Sequence, residues 1–490
     1  MYGAYNPAGD IPDPATPIFI HLILILIPVA LIIAVFRIYF RSKRRARGLG
    51  SLCISSPDAA SGIIFGRKAC RVVYSPASEE GHVIVFGGSG SGKTSAVLIP
   101  TLRSLRKNNR STVFCIDIAG DISGNAAAGM RNTLIYAPGS GKSIPYSPFS
   151  TIDSLETEED RNEALENIAF LLMPELQDAS ANAQFFHREG RKILTSALIA
   201  GYHSGMDFIN ICEHIAEQSY QALFEWIDKT GYQSAIRYIN GFEGSSPQNT
   251  AGCMQSAAAA VALFANNTAV KQSIRRPRYR EDYYTPTALE EYNVFVVLPD
   301  DKIDLYQPLM QLLVSQTIQY LSTRSLTAKH TIILCLDELP SLGHLPVLDV
   351  VRKFRKRKIR LLALTQSLAD LDLTYGERER VAILENFRYT LVLSASSIET
   401  QQYFSKRIGN VRRKQITTTS RMYDRSTVSE TETREPAINP QDLARLGDHL
   451  ILLYPGGYIQ LKKNYYFKQP DFSVLEWLTD RIDDFMRRRA

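Results

Sequence analysis

The sequence reads Gly87-Gly88-Ser89-Gly90-Ser91-Gly92-Lys93-Thr94 directly after the apolar run 83–86 and directly before Ser95 and the apolar segment 96–99. A strand, a glycine-rich loop and a helix in this order are the context that a phosphate-binding loop requires. Glycines let the backbone N–H groups turn around a triphosphate, and the following helix directs its positive end at the same anion. A Gly/Ser linker, the alternative interpretation, lacks such apolar flanks. Residues 87–95 are therefore predicted to bind a nucleoside triphosphate, with Lys93 at the β- and γ-phosphates and Thr94 on Mg²⁺.

Short apolar runs alternate with helical patterns along much of the remaining chain. We expect strands at 112–117, 132–136, 293–298, 331–336, 359–365, 389–394 and 450–454, and a helix at 305–323. This alternation is typical of an α/β fold with a parallel sheet. The polar segment 411–435 is expected to be a loop or an exposed hairpin.

Residues 155–275 differ from this pattern, because their apolar residues recur at helical spacing and strand signals are scarce. We therefore expect a nucleotide-binding domain made of 51–154 and 276–490, interrupted by an all-α insertion at 155–275.

An acidic pair, Asp337-Glu338, follows the apolar run 332–336. The carboxyl ends of parallel strands lie at one edge of a sheet, where the phosphate loop also lies. We expect Asp337 to hold Mg²⁺ through water and Glu338 to act as the base that orients the attacking water. Gln366, at the end of the next strand, is a candidate sensor of the γ-phosphate.

Seven cations occupy nine positions between Arg352 and Arg360. Three interpretations remain open for this run. It can be a solvated helix face, a contact with nucleic-acid phosphates, or the source of an arginine that reaches the triphosphate of a neighbouring subunit.

The segment 18–36 is apolar except for His21, and at 1.5 Å per residue it would span about 28 Å, close to the thickness of a bilayer. Cations follow this segment and none precedes it, which favours an uncleaved anchor over a signal peptide. We expect a periplasmic N-terminus (1–17), a membrane helix (18–36) and a basic cytoplasmic linker (37–50), with the remaining chain in the cytoplasm.

Charge and cysteine content limit the possible functions. The net charge is +6, and residues 1–50, with six cations and two acids, carry four of these charges. The body is thus not a generally basic protein that coats nucleic acid, so any such contact needs a local patch. The six cysteines form no CxxC pair and are expected to be reduced and mostly buried.

At this point the chain resembles the type IV secretion coupling proteins, the TraG/TraD/TrwB kind of conjugative ATPase. The resemblance covers nearly the whole chain and is carried by the phosphate loop together with the following segments: 115–121, similar to a D-P-K-G-E segment; 146–149, similar to an N-P turn; LDELPSLG at 336–343; TQSLADL at 365–371 with Tyr375-Gly376; Arg434-Glu435-Pro436; and 439–443. Judged by its spacing to Gln366, Arg355 occupies the position at which this family has an arginine resembling an arginine finger, a side chain that reaches the triphosphate of a neighbouring subunit. Two departures are Ala119, where the family has lysine, and one predicted span where most members have two.

The resemblance implies a RecA-like, hexameric, DNA-stimulated ATPase on the bacterial inner membrane. Such a motor uses ATP and Mg²⁺ to deliver a relaxase-bound single DNA strand, or a protein substrate, to a type IV secretion channel. One alternative is another membrane-linked translocase ring of the FtsK/HerA kind. The other is a nucleotide-gated scaffold that is not a motor.

Overall fold

A computed structural model of the protein describes residues 52–56, 59–106, 108, 110–118, 120–176, 179–279, 281–421 and 424–468. The predicted membrane helix 18–36 and its flanks, 1–17 and 37–50, lie outside these residues. Among the helices within the described ranges, none combines the length and the apolarity needed to cross a bilayer.

Most strands form one twelve-stranded sheet. In chain order, the strands of the described residues are β1 (Cys53–Ser55), β2 (Gly62–Lys68), β3 (Arg71–Pro76), β4 (Val83–Phe86), β5 (Ser111–Ile118), β6 (Thr133–Tyr136), β7 (Asn293–Leu298), β8 (Thr331–Leu336), β9 (Ile359–Thr365), β10 (Tyr389–Val392), β11 (Asn410–Arg421), β12 (Asp424–Pro436), β13 (His449–Tyr454) and β14 (Gly457–Lys462). The order across the large sheet is β1-β3-β2-β14-β13-β10-β4-β9-β8-β5-β7-β6.

The sheet has a parallel half and an antiparallel half. The seven strands from β10 to β6 are parallel, and β4 lies between β10 and β9. The strands from β13 to β1 are antiparallel to their neighbours. The α/β fold with a mainly parallel sheet is thus confirmed. The sequence did not predict β14, whose only strongly buried residue is Leu461, so that its apolar signal is weak.

Helices lie between the strands. They are α1 (Ile99–Leu105), α2 (Asp121–Ala126), α3 (Glu158–Leu172), α4 (Ala181–His203), α5 (Phe208–Glu217), α6 (Tyr220–Thr230), α7 (Gln233–Ile239), α8 (Pro247–Asn266), α9 (Thr268–Ser273), α10 (Ile303–Thr323), α11 (Val347–Lys353), α12 (Leu368–Glu385) and α13 (Ile398–Ile408). A π-helical turn over Thr94–Leu98 runs directly into α1.

The central strands are buried on both faces, which explains their continuous apolar sequences. In β8, Ile332 and Leu334 face one core, whereas Ile333 and Cys335 face the other. The first core includes side chains of α10, and the second includes side chains of α1 and α2. Helices thus cover both faces of the parallel half of the sheet.

In the described residues between β6 and β7, the chain forms seven α-helices, α3 to α9. Within the described part of 155–275 the only extended pairing is an isolated bridge at Ile274, whose partner is Tyr146. The Tyr146 amide donates to the Ser273 carbonyl over 2.9 Å, so the entry to this helical segment and the exit from it lie side by side. The Tyr146 hydroxyl also donates to Gln316 Oε1 of α10. These contacts agree with an insertion, while the domain boundaries themselves remain predictions.

Strands β11 and β12 form a separate two-stranded ribbon. This ribbon is the hairpin form of the two possibilities predicted for 411–435, and its strands pair antiparallel from Asn410 with Pro436 onward.

The cysteines of the described residues carry free thiols. Cys115, Cys212, Cys253 and Cys335 are buried, as the sequence predicted for most of them.

Candidate functional site

The glycine-rich loop leaves the carboxyl end of β4, near the centre of the sheet. All four residues of β4 are fully buried. The Gly87 amide donates to the Thr365 carbonyl of β9 over 3.1 Å, and the Gly88 amide donates to Ser394 Oγ over 3.1 Å. The loop is therefore tied to the strand ends on both of its sides.

Two glycines of the loop adopt backbone angles that other residues avoid. Gly90 has φ of 72° and Gly92 has φ of 93°, values that strain the backbone of any residue with a β-carbon. Gly87 has no such angle, but a Cβ on it would lie 2.4 Å from Ser91 Oγ. The shape of the loop thus requires glycine at positions 90 and 92 and favours it at position 87.

Lys93 is buried, with 8% of its surface exposed. Its Nζ donates to the Gly87 carbonyl over 2.6 Å, so the ammonium group lies inside the curve of the loop. The same Nζ is 3.5 Å from Glu338 Oε2. A charged group held in this position can neutralise a bound polyphosphate.

The structure brings the acidic pair to this loop. Asp337 and Glu338 follow β8, which is separated from β4 only by β9. The Thr94 hydroxyl is 3.4 Å from Asp337 Oδ1 across 243 residues of sequence, a distance at the long end for a hydrogen bond. The predicted juxtaposition of residues 87–94 with 337–338 is therefore present in the fold.

Glu338 has an unusual backbone conformation. Its φ of 53° and ψ of 63° belong to the left-handed region, which is rare for a residue other than glycine. Such strain is found mainly where a side chain must point in a particular direction. In this conformation the Glu338 carboxylate lies 3.5 Å from Lys93 Nζ.

Burial perturbs both carboxyl groups. Burial, and after it the negative charge of Glu338, raises the pKa of Asp337 to about 7, although Lys93 opposes the shift. Burial also raises the pKa of Glu338, against the lowering effects of Lys93 and of a side-chain hydrogen bond with Gln366. Perturbed carboxyl groups of this kind are concentrated at functional sites.

Gln366 and Asp117 complete the carboxyl edge of the sheet. Gln366 follows β9, is exposed, and meets Glu338 through its side chain. Asp117 near the end of β5 is fully buried and accepts hydrogen bonds from the amides of Ile122 and Ser123 at 3.1 and 2.6 Å. These bonds hold the start of α2, while burial raises the Asp117 pKa. Asp117 therefore supports the site from the strand beside Asp337.

Arg355 lies away from the site. It belongs to a 3₁₀ turn just before β9, and its Nε is 3.5 Å from Glu80 Oε2. Gln366, by contrast, follows the far end of the seven-residue β9, which at about 3.3 Å per residue measures roughly 23 Å. Arg355 therefore lies at the amino edge, where it cannot reach the loop of its own subunit.

The rest of the basic run does not form one helix face. Arg352 and Lys353 end α11, Arg355–Arg357 form the 3₁₀ turn, and Arg360 belongs to β9, where it is fully buried. The interpretation as a single solvated helix face is therefore wrong for Arg360, because the sheet begins within the run.

Sequence analysis missed Tyr465, which follows β14. A Cβ on Gly92 would lie 2.9 Å from Tyr465 Cε1, so the aromatic ring packs directly against the loop. The only sequence signal was the cluster Tyr465-Tyr466-Phe467, which by itself indicates nothing specific.

This loop and the acidic strand end at the carboxyl edge of a parallel sheet define a phosphate-binding-loop nucleotide-binding protein. The profile of the family described as "Type IV secretory system Conjugative DNA transfer" matches residues 63–481, and the chain belongs to this family.

Relatives and solved structures agree with the family assignment. Protein VirD4 of Agrobacterium fabrum is 22% identical over 480 residues, which cover 91% of this chain and 70% of VirD4. The unbound bacterial conjugative coupling protein TrwBdeltaN70 has a TM-score of 0.65 and 19% identity, covering 87% of this chain and 96% of its own. The plasmid coupling protein TrwB in complex with ADP and Mg²⁺ has a TM-score of 0.64 and 18% identity, covering 80% and 88%. The chain therefore shares the TrwB fold.

Proposed function

We propose that this chain is an ATP-hydrolysing coupling protein of a type IV secretion system that serves conjugative DNA transfer. One observation carries the hydrolytic part. The loop lysine Lys93 lies 3.5 Å from Glu338, and Thr94 lies 3.4 Å from Asp337, at the carboxyl edge of one sheet. The family assignment and the fold shared with TrwB support the transfer part.

The residues of the site divide the work as follows. The loop amides and Lys93 hold the triphosphate, and the oxygen ligands Thr94 and Asp337 suit Mg²⁺, which favours oxygen donors. When bound, Mg²⁺ neutralises charge on the β- and γ-phosphates. Glu338 orients and polarises the attacking water, and Gln366, which contacts Glu338, senses the γ-phosphate.

The wider function rests on the relatives. TrwB has been solved with ADP and Mg²⁺, and we extend these ligands, with ATP as substrate, to the present chain. The proposed partners are a relaxase-bound single DNA strand and the channel of the secretion system. The proposed assembly is a RecA-like homohexamer at the bacterial inner membrane, anchored through the segment 18–36.

The proposal is tested by steady-state hydrolysis of ATP with Mg²⁺, with and without single- or double-stranded DNA. Glu338→Gln should lower the turnover rate by about 10²-fold or more and retain ATP binding, because it removes the base without adding bulk. Lys93→Ala should lose hydrolysis as well. Glu385→Gln, on the exposed end of α12, is the matched control and should hydrolyse at the wild-type rate.

Normal turnover by Glu338→Gln would refute the base assignment. Stimulation by single-stranded DNA is expected for a coupling protein. Stimulation by double-stranded DNA alone would instead favour a translocase of the FtsK/HerA kind, and hydrolysis indifferent to any DNA would argue against DNA as the cargo.

A further inference from the structure

Strand β14 carries the chain to the phosphate loop. Because β13 is antiparallel to β10 and β14 is antiparallel to β13, β14 ends at the same carboxyl edge as the parallel strands. The residues that follow β14 then form a short 3₁₀ turn, Tyr466–Lys468, beside the π-helical turn that starts the loop helix. An antiparallel pair of strands thus delivers an aromatic segment to the nucleotide site.

The aromatic segment approaches the loop from the side opposite to the carboxylates. Asp337 and Glu338 belong to β8, which lies beyond β9 on one side of β4, whereas β13 and β14 lie beyond β10 on the other. A triphosphate whose γ-phosphate meets Glu338 therefore extends its α-phosphate and nucleoside away from β8. On that side of the loop, the ring of Tyr465 lies against Gly92.

The segment offers flat aromatic surface at this place. The rings of Tyr465 and Phe467 have centroids 5.3 Å apart and are inclined by 32°. Phe467 is 60% exposed, although large apolar side chains usually bury most of their surface. Lys468 Nζ lies 4.7 Å from the Tyr465 ring centroid. An exposed aromatic ring beside a phosphate loop is a surface on which another planar group can stack.

Tyr466 anchors the segment to the body of the protein. The Arg103 guanidinium of α1 lies over its ring, 4.7 Å from the centroid. Because α1 continues the loop helix, the anchor fixes Tyr465 and Phe467 relative to the loop itself.

We propose that Tyr465 and Phe467 form the platform on which the nucleobase of the bound nucleoside triphosphate stacks. This inference rests on the proposed function, since it requires a nucleotide at residues 87–94. Stacking on these rings selects for a planar heteroaromatic group and tolerates different bases, because every base has a π-face.

The test compares two ligands that differ in the nucleoside. Equilibrium binding of ATP and of inorganic tripolyphosphate is measured on the full chain, with Mg²⁺ present. Tyr465→Ala and Phe467→Ala should each weaken ATP binding by about 5- to 100-fold, the range typical of a lost aromatic–base contact, and leave tripolyphosphate binding within about twofold. Tyr465→Phe should bind both ligands as the wild type does.

Tyr458→Ala is the matched control, because Tyr458 is a partly exposed tyrosine near the start of β14, at the opposite edge of the sheet. Its affinity for both ligands should equal that of the wild type. Equal weakening of ATP and tripolyphosphate binding by Tyr465→Ala and Phe467→Ala would overturn the platform, as the residues would then only support the loop. Unchanged ATP affinity in both variants would overturn it as well.

The same data separate this inference from the proposed function. A wild-type chain that binds ATP through Tyr465 and Phe467 but does not hydrolyse it would retain the platform and refute the ATPase. A wild-type chain that binds neither ligand would refute both.

Discussion

At the scale of single residues, the surroundings of Asp337 disfavour its ionised form. Its carboxyl is largely buried beside Glu338, and together these effects raise its pKa from 3.8 to about 7. The positive charge of Lys93, whose Nζ also donates to the Gly87 carbonyl, lowers the Asp337 pKa but does not cancel this rise. The site therefore has an acidic group that is costly to ionise until a cation is bound.

The raised pKa of Asp337 predicts that Asp337→Asn stabilises the protein in a pH-dependent way when nucleotide and Mg²⁺ are absent. An acid whose folded pKa lies above its unfolded value stabilises the fold below the unfolded pKa, and this contribution is lost as pH rises through the folded pKa. At pH 8 we therefore expect Asp337→Asn to raise the free energy of unfolding by about 1–3 kcal/mol, with the gain shrinking toward pH 5. Denaturant unfolding at several pH values measures it.

Asp349→Asn is the control for this experiment, because Asp349 is exposed and forms an ion pair with Lys353 at 3.2 Å. Its effect on stability should be small and nearly constant between pH 5 and pH 8. A pH-independent difference for Asp337→Asn would mean that the Asp337 pKa is close to normal.

At the scale of elements, strand β9 lies between β4, which leads to the phosphate loop, and β8, which leads to the acidic pair. It begins at the amino edge of the parallel strands. The buried Arg360 near its start donates to the carbonyls of Gly81 and Pro76 at 3.0 and 2.7 Å, and to Ser75 Oγ at 3.0 Å. Burial lowers the pKa of Arg360 to about 10. This arginine is a structural clamp between β9, the end of β3 and the chain that enters β4.

Removing the clamp should destabilise the protein. Arg360→Ala leaves buried carbonyls without a donor and opens a cavity, so we expect the free energy of unfolding to fall by about 2–5 kcal/mol. Arg352→Ala, an exposed cation of the same basic run, should change it by less than about 0.5 kcal/mol. Chemical denaturation of both variants measures the difference, and equal effects would refute the structural role of Arg360.

At the scale of the whole molecule, Arg355 and the phosphate loop lie at opposite edges of one sheet. The side chain of Arg355 is 59% exposed and has only Glu80 beside it as an ion-pair partner among the described residues. If Arg355 contacts a triphosphate, the triphosphate must belong to a neighbouring copy, which requires a head-to-tail arrangement of subunits.

Mixed assemblies test this arrangement. Arg355→Ala should lower ATP hydrolysis by about 10³-fold, the lower value typical of an arginine acting in trans. Mixing it with Glu338→Gln should restore part of the activity, because some interfaces then combine an intact Glu338 with an intact Arg355. Lys356→Ala, the exposed neighbour, is the control and should stay active. Absence of rescue on mixing would exclude a role in trans.

The parallel strands, the phosphate loop and the acidic pair could all be predicted from the amino-acid sequence alone. These features are local, since a buried strand needs a continuous apolar run and a tight loop needs glycine at positive φ. Even the encounter of Thr94 with Asp337 across 243 residues followed, because parallel strands end at a common edge.

Positions that depend on the order of strands in the sheet could not be predicted in this way. The placement of Tyr465 against Gly92 requires β14 to lie beside β13, and the burial of Arg360 requires β9 to pack against the chain between β3 and β4. No local pattern encodes these neighbours. An arginine that becomes buried and one that stays exposed can have the same flanking sequence, and so can a tyrosine that packs on a loop and one that is solvated. Their environment comes from distant segments that meet only when the sheet is complete.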